Sequence, residues 1–228
     1  MIPKRIVLVR HGRSQANDDS TVYSRVPDYK IELTEEGKAQ AREVGEKIAG
    51  IVGNESYGVY VSPYLRTLQT RDGIVEKMGH APVFDYQDPC LREQDCGNLP
   101  SVLETESNRD ARGRYGAFFY RFPDGESCAD VHDRMIDFLS SLRRLFDKDA
   151  CPDNILIITH SVALRCFLFR LYRWTIDYFD ALPSLPNCHL VLLSRKDNGQ
   201  YELSEPFAEV PCFGKWPRDD APGASLID

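Results

Sequence analysis

Two short apolar runs, each followed closely by a histidine, constrain the fold of this chain more than any other feature. Residues 6–9 are Ile-Val-Leu-Val and lead to His11, and residues 155–158 are Ile-Leu-Ile-Ile and lead to His160. Unbroken β-branched runs of this length are typical of strands buried on both faces of a parallel sheet. Open α/β sheets bind ligands at the carboxyl edge of their strands. The sequence therefore predicts an α/β fold that brings both histidines into one crevice.

Helices are predicted between and after the two runs. Thr34 has the character of an N-cap, because two acidic residues follow it and apolar residues then recur at helical spacing up to Gly53. Ser62 and Pro63 match a cap followed by proline at the first helical position, which predicts a helix through Met78. Further helices are predicted over residues 127–146, beginning at Ser127 or Asp130, and over residues 161–172.

The remaining strands complete an alternating pattern. They are predicted at residues 57–61, 187–194 and 201–203. Alternation of strands and helices predicts a three-layer α/β/α sandwich around a mostly parallel central sheet. We expect a single domain over residues 1–228, with an irregular tail from about residue 211, where Pro, Gly and Asp are frequent.

Composition excludes several classes of partner. Lys and Arg number 28 against 35 Asp and Glu, so the net charge is −7. Such a field repels nucleic acid and anionic membrane surfaces, and neither is expected as a partner. The seven cysteines are odd in number and show no C-x-x-C spacing, which predicts reduced thiols, no structural metal site and a cytoplasmic protein. No apolar run approaches the length of a membrane span.

Five short motifs with catalytic character follow one another along the chain. They are Arg10-His11-Gly12, Ser62-Pro63-Tyr64-Leu65-Arg66, Leu91-Arg92-Glu93, Pro123-Asp124-Gly125-Glu126-Ser127 and finally His160. In this order and spacing they resemble branch 1 of the histidine phosphatase superfamily, the phosphoglycerate-mutase-like proteins, over about residues 4–193. Residues 92–95 and 118–123 are most similar to a plant, fungal and protist subgroup of phosphoglycerate-mutase-like proteins.

The resemblance implies a role for each motif residue. His11 would be the nucleophile that becomes phosphorylated, and Glu93 would be the proton donor. The phosphate pocket would be completed by Arg10, Arg66 and His160, with Asn17 at a further position on the phosphate side. Asn17 also fits a simple helix-cap or turn residue. The implied reaction requires neither a metal ion nor a cofactor.

Two positions beside the histidines raise a question of pocket shape. Gly12 lacks a side chain and is expected to let backbone amides approach the phosphate. The family usually has glycine after the second histidine, and this chain has Ser161 there. Ser161 would cap the following helix, reach a phosphate oxygen or narrow the pocket. Glu126 and Ser127 are interpreted as the cap of the helix that follows them.

The residue types suit phosphoryl transfer. A neutral imidazole is nucleophilic near pH 7, and a phosphohistidine divides one difficult displacement into two easier ones. A backbone carbonyl is expected to hold the second nitrogen of His11 and so fix its tautomer. Guanidinium groups and a second imidazole would stabilise the charge on the equatorial oxygens. The leading hypothesis is therefore a hydrolase of a small phosphorylated metabolite, with the oligomeric state left open.

Two alternatives accompany this hypothesis. A phosphoglycerate mutase, which is an isomerase, would share the core, but such mutases carry a Lys-bearing stretch and an adjacent Arg pair before the P-x-G-E-S segment. Residues 98–115 of this chain contain neither feature. A phosphate-binding protein without turnover is the second alternative, and the substitution at Ser161 keeps it open.

A basic, aromatic segment lies between Glu93 and the P-D-G-E-S motif. Its arginines are Arg109, Arg112, Arg114 and Arg121. If the segment is helical, Arg109 and Arg112 share one face. They form either a solvated surface or a lid whose positive face contacts a second acidic group of the substrate.

Overall fold

The structure, a computed structural model, describes residues 2–99, 101–147, 151–207, 209–210, 214–215 and 224–226. The strands are β1 Arg5–Arg10, β2 Tyr57–Val61, β3 Asp85–Gln87, β4 Asn154–Thr159, β5 Leu190–Arg195, β6 Tyr201–Leu203, β7 Glu209–Val210 and β8 Gly214–Lys215. The helices are α1 Gln15–Asp18, α2 Glu35–Val52, α3 Leu65–Val75, α4 Val102–Tyr115, α5 Cys128–Phe146, α6 Ser161–Tyr172 and α7 Ile176–Ala181. Short 3₁₀ turns cover Ser20–Ser24, Asp28–Lys30 and Pro89–Leu91.

The central sheet has six strands in the order β3-β2-β4-β1-β5-β6. The first four strands are parallel to one another, and β5 and β6 continue the sheet in antiparallel fashion. The predicted mostly parallel sheet is therefore confirmed. Strands β7 and β8 form a separate pair.

Alternate residues of the central strands enter two different cores. Val7 and Val9 pack with α2 and α3 on one face of the sheet. Ile6 and Leu8 pack with α5, α6 and α7 on the other face. All four side chains are completely buried, as expected for strands covered on both faces. The predicted three-layer α/β/α arrangement is confirmed.

The amino end of α2 follows the sequence prediction, whereas that of α3 does not. The Thr34 hydroxyl accepts a hydrogen bond from the backbone N–H of Gly37 at 3.0 Å and so caps α2. The predicted start of α3 at Ser62 and Pro63 is wrong, because the helix begins at Leu65. Ser62 instead directly follows strand β2, and its N–H donates to the Ile158 carbonyl.

The register of the sheet brings the two predicted histidines together. Arg10 at the end of β1 lies beside Thr159 at the end of β4. His11 and His160 therefore leave adjacent strands at the same edge, and the His11 N–H donates to the Thr159 carbonyl at 2.9 Å. Helix α6 begins immediately after His160.

Part of the expected irregular tail is packed against the domain. Ala224 pairs with Tyr201 beside the edge strand β6, and Leu226 is buried. These residues correct the prediction of a wholly irregular tail, while residues 211–213, 216–223 and 227–228 lie outside the described part. The extent of the single domain over residues 1–228 stays a prediction. Among the helices described, none has both the length and the apolar character needed to cross a membrane.

Candidate active site

His11 sits at the carboxyl end of β1, almost completely buried. Its Nδ1 lies 2.7 Å from the carbonyl oxygen of Gly12, so the backbone partner expected from the sequence is confirmed. With Nδ1 donating to this carbonyl, Nε2 is the nitrogen whose lone pair is available. No hydrogen-bond partner of Nε2 occurs in the described part of the chain.

Burial and neighbouring charge keep the two histidines neutral. Burial lowers the pKa of His11 well below its usual 6.5, and the cations Arg66 and Arg10 lower it further, against the hydrogen bond to Gly12. Burial likewise lowers the pKa of His160, with Arg66 as the next cause. A neutral imidazole is the state that nucleophilic attack by His11 requires.

His160 faces His11 from the adjacent strand. The two ring centroids are 5.2 Å apart, with the planes at 61°. Nε2 of His160 lies 2.8 Å from the hydroxyl of Ser62. Nδ1 is buried and has no hydrogen-bond partner within the described residues. When the Ser62 hydroxyl donates to Nε2, Nδ1 carries the proton and would donate it to a bound oxygen, because buried polar atoms normally have a partner.

Two arginines stand beside the histidines in different states. Arg66, in the first turn of α3, is 3% exposed, and its Nη1 donates to the carboxylate of Asp28 at 2.7 Å and to the Asp28 carbonyl at 2.8 Å. Arg10 donates from Nη1 to the carbonyl of Leu185. The Nε of Arg10 is buried without a partner in the part of the chain described, and burial lowers the pKa of this guanidinium.

Glu93 lies at the amino end of α6. Its Oε1 accepts hydrogen bonds from the backbone N–H groups of Val162 at 3.2 Å and Ala163 at 3.3 Å. The carboxylate thus occupies the positive end of the helix that starts after His160. The structure brings the five predicted residues, which come from four distant parts of the chain, to one edge of the sheet. They are Arg10, His11, Arg66, Glu93 and His160.

Three further predicted positions have local structural roles. A Cβ at Gly12 would lie 2.5 Å from the Gly37 carbonyl oxygen, and its N–H donates to the Thr70 hydroxyl at 3.0 Å. Close contact with α2 therefore requires glycine at this position. Because the Gly12 N–H is bonded to Thr70, the structure does not show the expected presentation of this amide to a phosphate. Asn17 accepts hydrogen bonds from the N–H and hydroxyl of Ser14 at 2.9 and 3.0 Å, which is the capping role left open above.

Ser161 answers the question raised by the missing glycine. The N-cap of α6 is His160, so Ser161 is the first helical residue and not the cap. Its hydroxyl accepts a hydrogen bond from the N–H of Leu185 at 3.3 Å. Leu185 in turn accepts the hydrogen bond from Arg10. The serine side chain is thereby turned toward the segment that holds Arg10.

The roles of several residues around the site were missed: Asp28 and Asn187 belong to no motif, and Ser62 was interpreted only as a helix cap. Asp28 holds Arg66, Ser62 contacts His160, and Nδ2 of Asn187 donates to the His11 carbonyl at 3.2 Å. These partners come from distant segments, so no local pattern announces them. Arg134 could have been noticed in the sequence, because it is a charged residue on the otherwise apolar face of α5. In the structure its side chain is buried, at 8% exposure.

Arg134 and Glu126 hold the loop that carries Glu93. The Arg134 guanidinium donates to the carbonyls of Arg92 at 2.8 Å and Glu93 at 3.0 Å, and to the Glu126 carboxylate at 3.0 Å. Ser127 caps α5 through the N–H of Asp130, as predicted. Glu126 is not part of that cap and is instead the counter-ion of Arg134 and Arg92.

The described residues contain no group of three or more His, Cys, Asp or Glu side chains that would hold a metal ion.

The protein is similar to known proteins over most of its length. The family model of the histidine phosphatase superfamily (branch 1) matches residues 6–205. The phosphoglycerate mutase-like protein AT74H of Arabidopsis thaliana is 38% identical over 220 residues, which cover 90% of this chain and 78% of that protein.

A curated relative and a solved structure are similar to this chain at lower identity, and the solved structure shows the same fold. The broad-range acid phosphatase DET1 of Saccharomyces cerevisiae is 25% identical over 284 residues, covering 84% of this chain and 85% of that protein. The solved structure of Bacillus stearothermophilus YhfR superimposes with a TM-score of 0.69 at 22% identity, covering 88% of this chain and 95% of that one. The chain belongs to branch 1 of the histidine phosphatase superfamily.

Proposed function

We propose that this enzyme hydrolyses small phosphomonoesters through a phosphohistidine on His11. Nε2 of His11 attacks phosphorus while the bond from phosphorus to the ester oxygen breaks, and Glu93 gives a proton to the departing oxygen. Glu93 then takes a proton from water, whose oxygen attacks the phosphohistidine. The phosphorus–nitrogen bond breaks, and inorganic phosphate and free His11 result.

One observation carries the proposal. The Nε of Arg10 and the Nδ1 of His160 are both buried without a partner in the described residues, and both belong to residues that flank His11. A phosphoryl group on His11 would supply the oxygens that these atoms lack. Together with Arg66 they would surround the three equatorial oxygens, where the charge of the transition state accumulates.

The alternatives are less well supported. Residues 98–115 lack the Lys-bearing stretch and adjacent Arg pair of the mutases, and the relative DET1 is named a broad-range acid phosphatase. Ser161 was the reason to consider binding without turnover, and its hydroxyl is engaged by Leu185. We place the reaction in the cytoplasm on the strength of the cysteines, of which those described are free thiols.

Rapid-quench labelling with a phosphorus-32 ester tests the proposal. His11→Ala should abolish the acid-labile phosphoenzyme and lower kcat by about 10⁴-fold or more, because the attacking atom is lost. His160→Ala should lower kcat by about 10²- to 10³-fold yet still form some phosphoenzyme, since it removes a stabilising group only. His132→Gln, on α5 away from the site, is the matched control. Undiminished labelling of His11→Ala would overturn the assignment.

A further inference from the structure

Arg165 is a buried cation without a counter-ion. It lies one helical turn after Ser161 on α6 and is 7% exposed. Its Nε and Nη1 donate to the carbonyls of Ser161 and Leu182 at 3.4 and 3.3 Å, and its guanidinium lies 5.1 Å from the ring centre of Phe179. No described carboxylate comes within ion-pair distance of it. A buried charge normally has such a partner, because its desolvation is costly.

Arg112 reaches toward the same region from α4. Its Nη2 donates to the thiol of Cys128 at 3.6 Å, which is a weak acceptor. Its Nε is buried and has no partner among the residues described. Arg109, one turn earlier on α4, is exposed. The two arginines that the sequence placed on one face therefore lie in different environments, and only Arg112 points inward.

Hydrogen bonds tie the two inward arginines to residues next to the proposed proton donor and to His160. Arg112 bonds the Cys128 thiol, which donates to the side chain of Gln94 at 3.4 Å, and Arg165 bonds the Ser161 carbonyl. Both act on the thiol of Cys128, whose pKa burial raises and the two cations lower. Burial lowers the pKa of Arg165, the charge of Glu93 raises it and the charge of Arg112 lowers it. The charge of Arg165 in turn lowers the pKa of Arg10 in the phosphate pocket. The cluster therefore continues the positive region of the phosphate pocket.

Helix α4 covers this region. It packs against the 3₁₀ turn Ser20–Ser24 and ends at Tyr115, with Gly116 as its C-cap at a φ of 104°. The Tyr120 hydroxyl donates to Oδ1 of Asn108 at 3.1 Å and so ties α4 to the segment that follows it. The half-buried positions of α4 are Asn108, Ala111 and Arg112, while the other described side chains of the helix are exposed. Arg112 thus belongs to the one face of α4 that is turned to the protein.

We propose that Arg112 and Arg165 form a second anion subsite, and that the preferred substrate is a phosphomonoester carrying a further acidic group. This inference rests on the proposed function, because it assigns the phosphoryl group itself to His11. The second group is a carboxylate or another phosphate, since either would supply the oxygens that the two guanidiniums lack. Arg109 has no part in the subsite.

Matched aryl esters test the subsite. The ratio of kcat/KM for 4-carboxyphenyl phosphate to that for 4-carbamoylphenyl phosphate is measured in the wild type, in Arg112→Gln and in Arg109→Gln. The difference in leaving group is the same for every variant, so a change in the ratio isolates recognition of the charge. 1,4-Phenylene bisphosphate, compared with the same carboxamide, tests for a second phosphate.

The wild type should favour either the carboxylate ester or the bisphosphate over the carboxamide. Arg112→Gln should lower that ratio by about ten- to a hundredfold, the range of a hydrogen bond to a charged group, and Arg109→Gln should leave it unchanged. Arg165→Gln should lower the ratio as well. If that variant does not fold, the ratio in Arg112→Gln is sufficient to test the subsite. Equal ratios in the Arg112 and Arg109 variants, or no preference in the wild type, would overturn the subsite while leaving hydrolysis in place. Loss of all hydrolysis in the wild type would instead overturn the proposed function.

Discussion

At the scale of single residues, we expect the side chain of Ser161 to affect phosphate binding through Arg10. Its hydroxyl accepts from the N–H of Leu185, and the Leu185 carbonyl accepts from the guanidinium of Arg10. Ser161→Ala leaves the Leu185 N–H unsatisfied, which costs about 1–3 kcal/mol, and frees the segment that orients Arg10. We expect inorganic phosphate to inhibit this variant about tenfold more weakly.

The inhibition constant for phosphate separates this role from a purely structural one. Ser161→Thr keeps the hydroxyl and should retain most of the inhibition, whereas Ser140→Ala on α5 removes a hydroxyl that bonds only to its own helix and should match the wild type. An unchanged inhibition constant in Ser161→Ala, measured on folded protein, would mean that Arg10 is held without the serine.

The positions of the histidines at the strand ends could be predicted from the sequence, whereas the hydrogen-bond partners of the site residues could not. His11 and His160 follow buried runs, so both their position and their proximity were predictable. Ser62 was interpreted as a helix cap because Ser-Pro is a common cap pattern. Its hydroxyl is bonded to His160, 98 residues away in sequence, and a tertiary partner of this kind leaves no local trace. Asp28, which holds Arg66, was missed for the same reason.

At the scale of elements, α5 positions the loop of Glu93 through one side chain. Arg134 donates to the carbonyls of Arg92 and Glu93 while paired with Glu126. Arg134→Lys keeps the charge but loses the planar fork that reaches both carbonyls. If Glu93 is the proton donor, this change should lower kcat/KM for an alkyl phosphate by about ten- to a hundredfold. A 4-nitrophenyl ester departs without a proton and should be affected much less.

The measurement is the loss of kcat/KM for the alkyl phosphate compared with the loss for the 4-nitrophenyl ester. Arg144→Lys, also on α5 but exposed and bonded to Ser141, is the matched control and should alter neither ester. A similar loss on both esters in Arg134→Lys would show that the clamp stabilises α5 without orienting Glu93.

The elements that could be predicted are those with a buried pattern. Strands β1 and β4 and helix α6 agree with the sequence within one residue at each end, because the apolar runs of the two strands are unbroken and α6 is apolar over most of its length. Strand β3 was not predicted, since its three residues are all exposed and two of them are polar. Its strand conformation comes from pairing with β2, which is a tertiary effect. Strand β5 begins at Leu190 and not at 187, because the preceding residues bind His11.

At the scale of the whole molecule, an acidic chain gathers arginines at one edge of its sheet. The net charge is −7, yet Arg10, Arg112 and Arg165 have no carboxylate partner in the described residues, whereas Arg66 and Arg134 are paired. The order of strands that creates this edge depends on helix packing across the sheet, which no local pattern specifies. The resulting field would concentrate anionic substrates at the site while the rest of the surface repels polyanions.

The buried histidines make the stability of the whole molecule depend on pH. Burial lowers the pKa of His11 and of His160 well below 6.5 in the folded protein, whereas the unfolded chain takes up both protons near 6.5. Below that pH the unfolded state binds more protons, so the free energy of unfolding should fall as pH decreases, by up to about 1.4 kcal/mol per pH unit for each histidine. Above about pH 7 this contribution should be constant.

Denaturant unfolding between about pH 5 and pH 8 measures this slope before the carboxylates titrate. His160→Gln removes one of the two groups and should reduce the slope below pH 6.5 by up to about 1.4 kcal/mol per unit. Its free energy of unfolding should differ from that of the wild type by a constant amount between pH 7 and 8. A slope identical to that of the wild type would mean that His160 takes up its proton equally in the folded and unfolded chain. The lowered pKa of His160 in the folded protein would then be wrong.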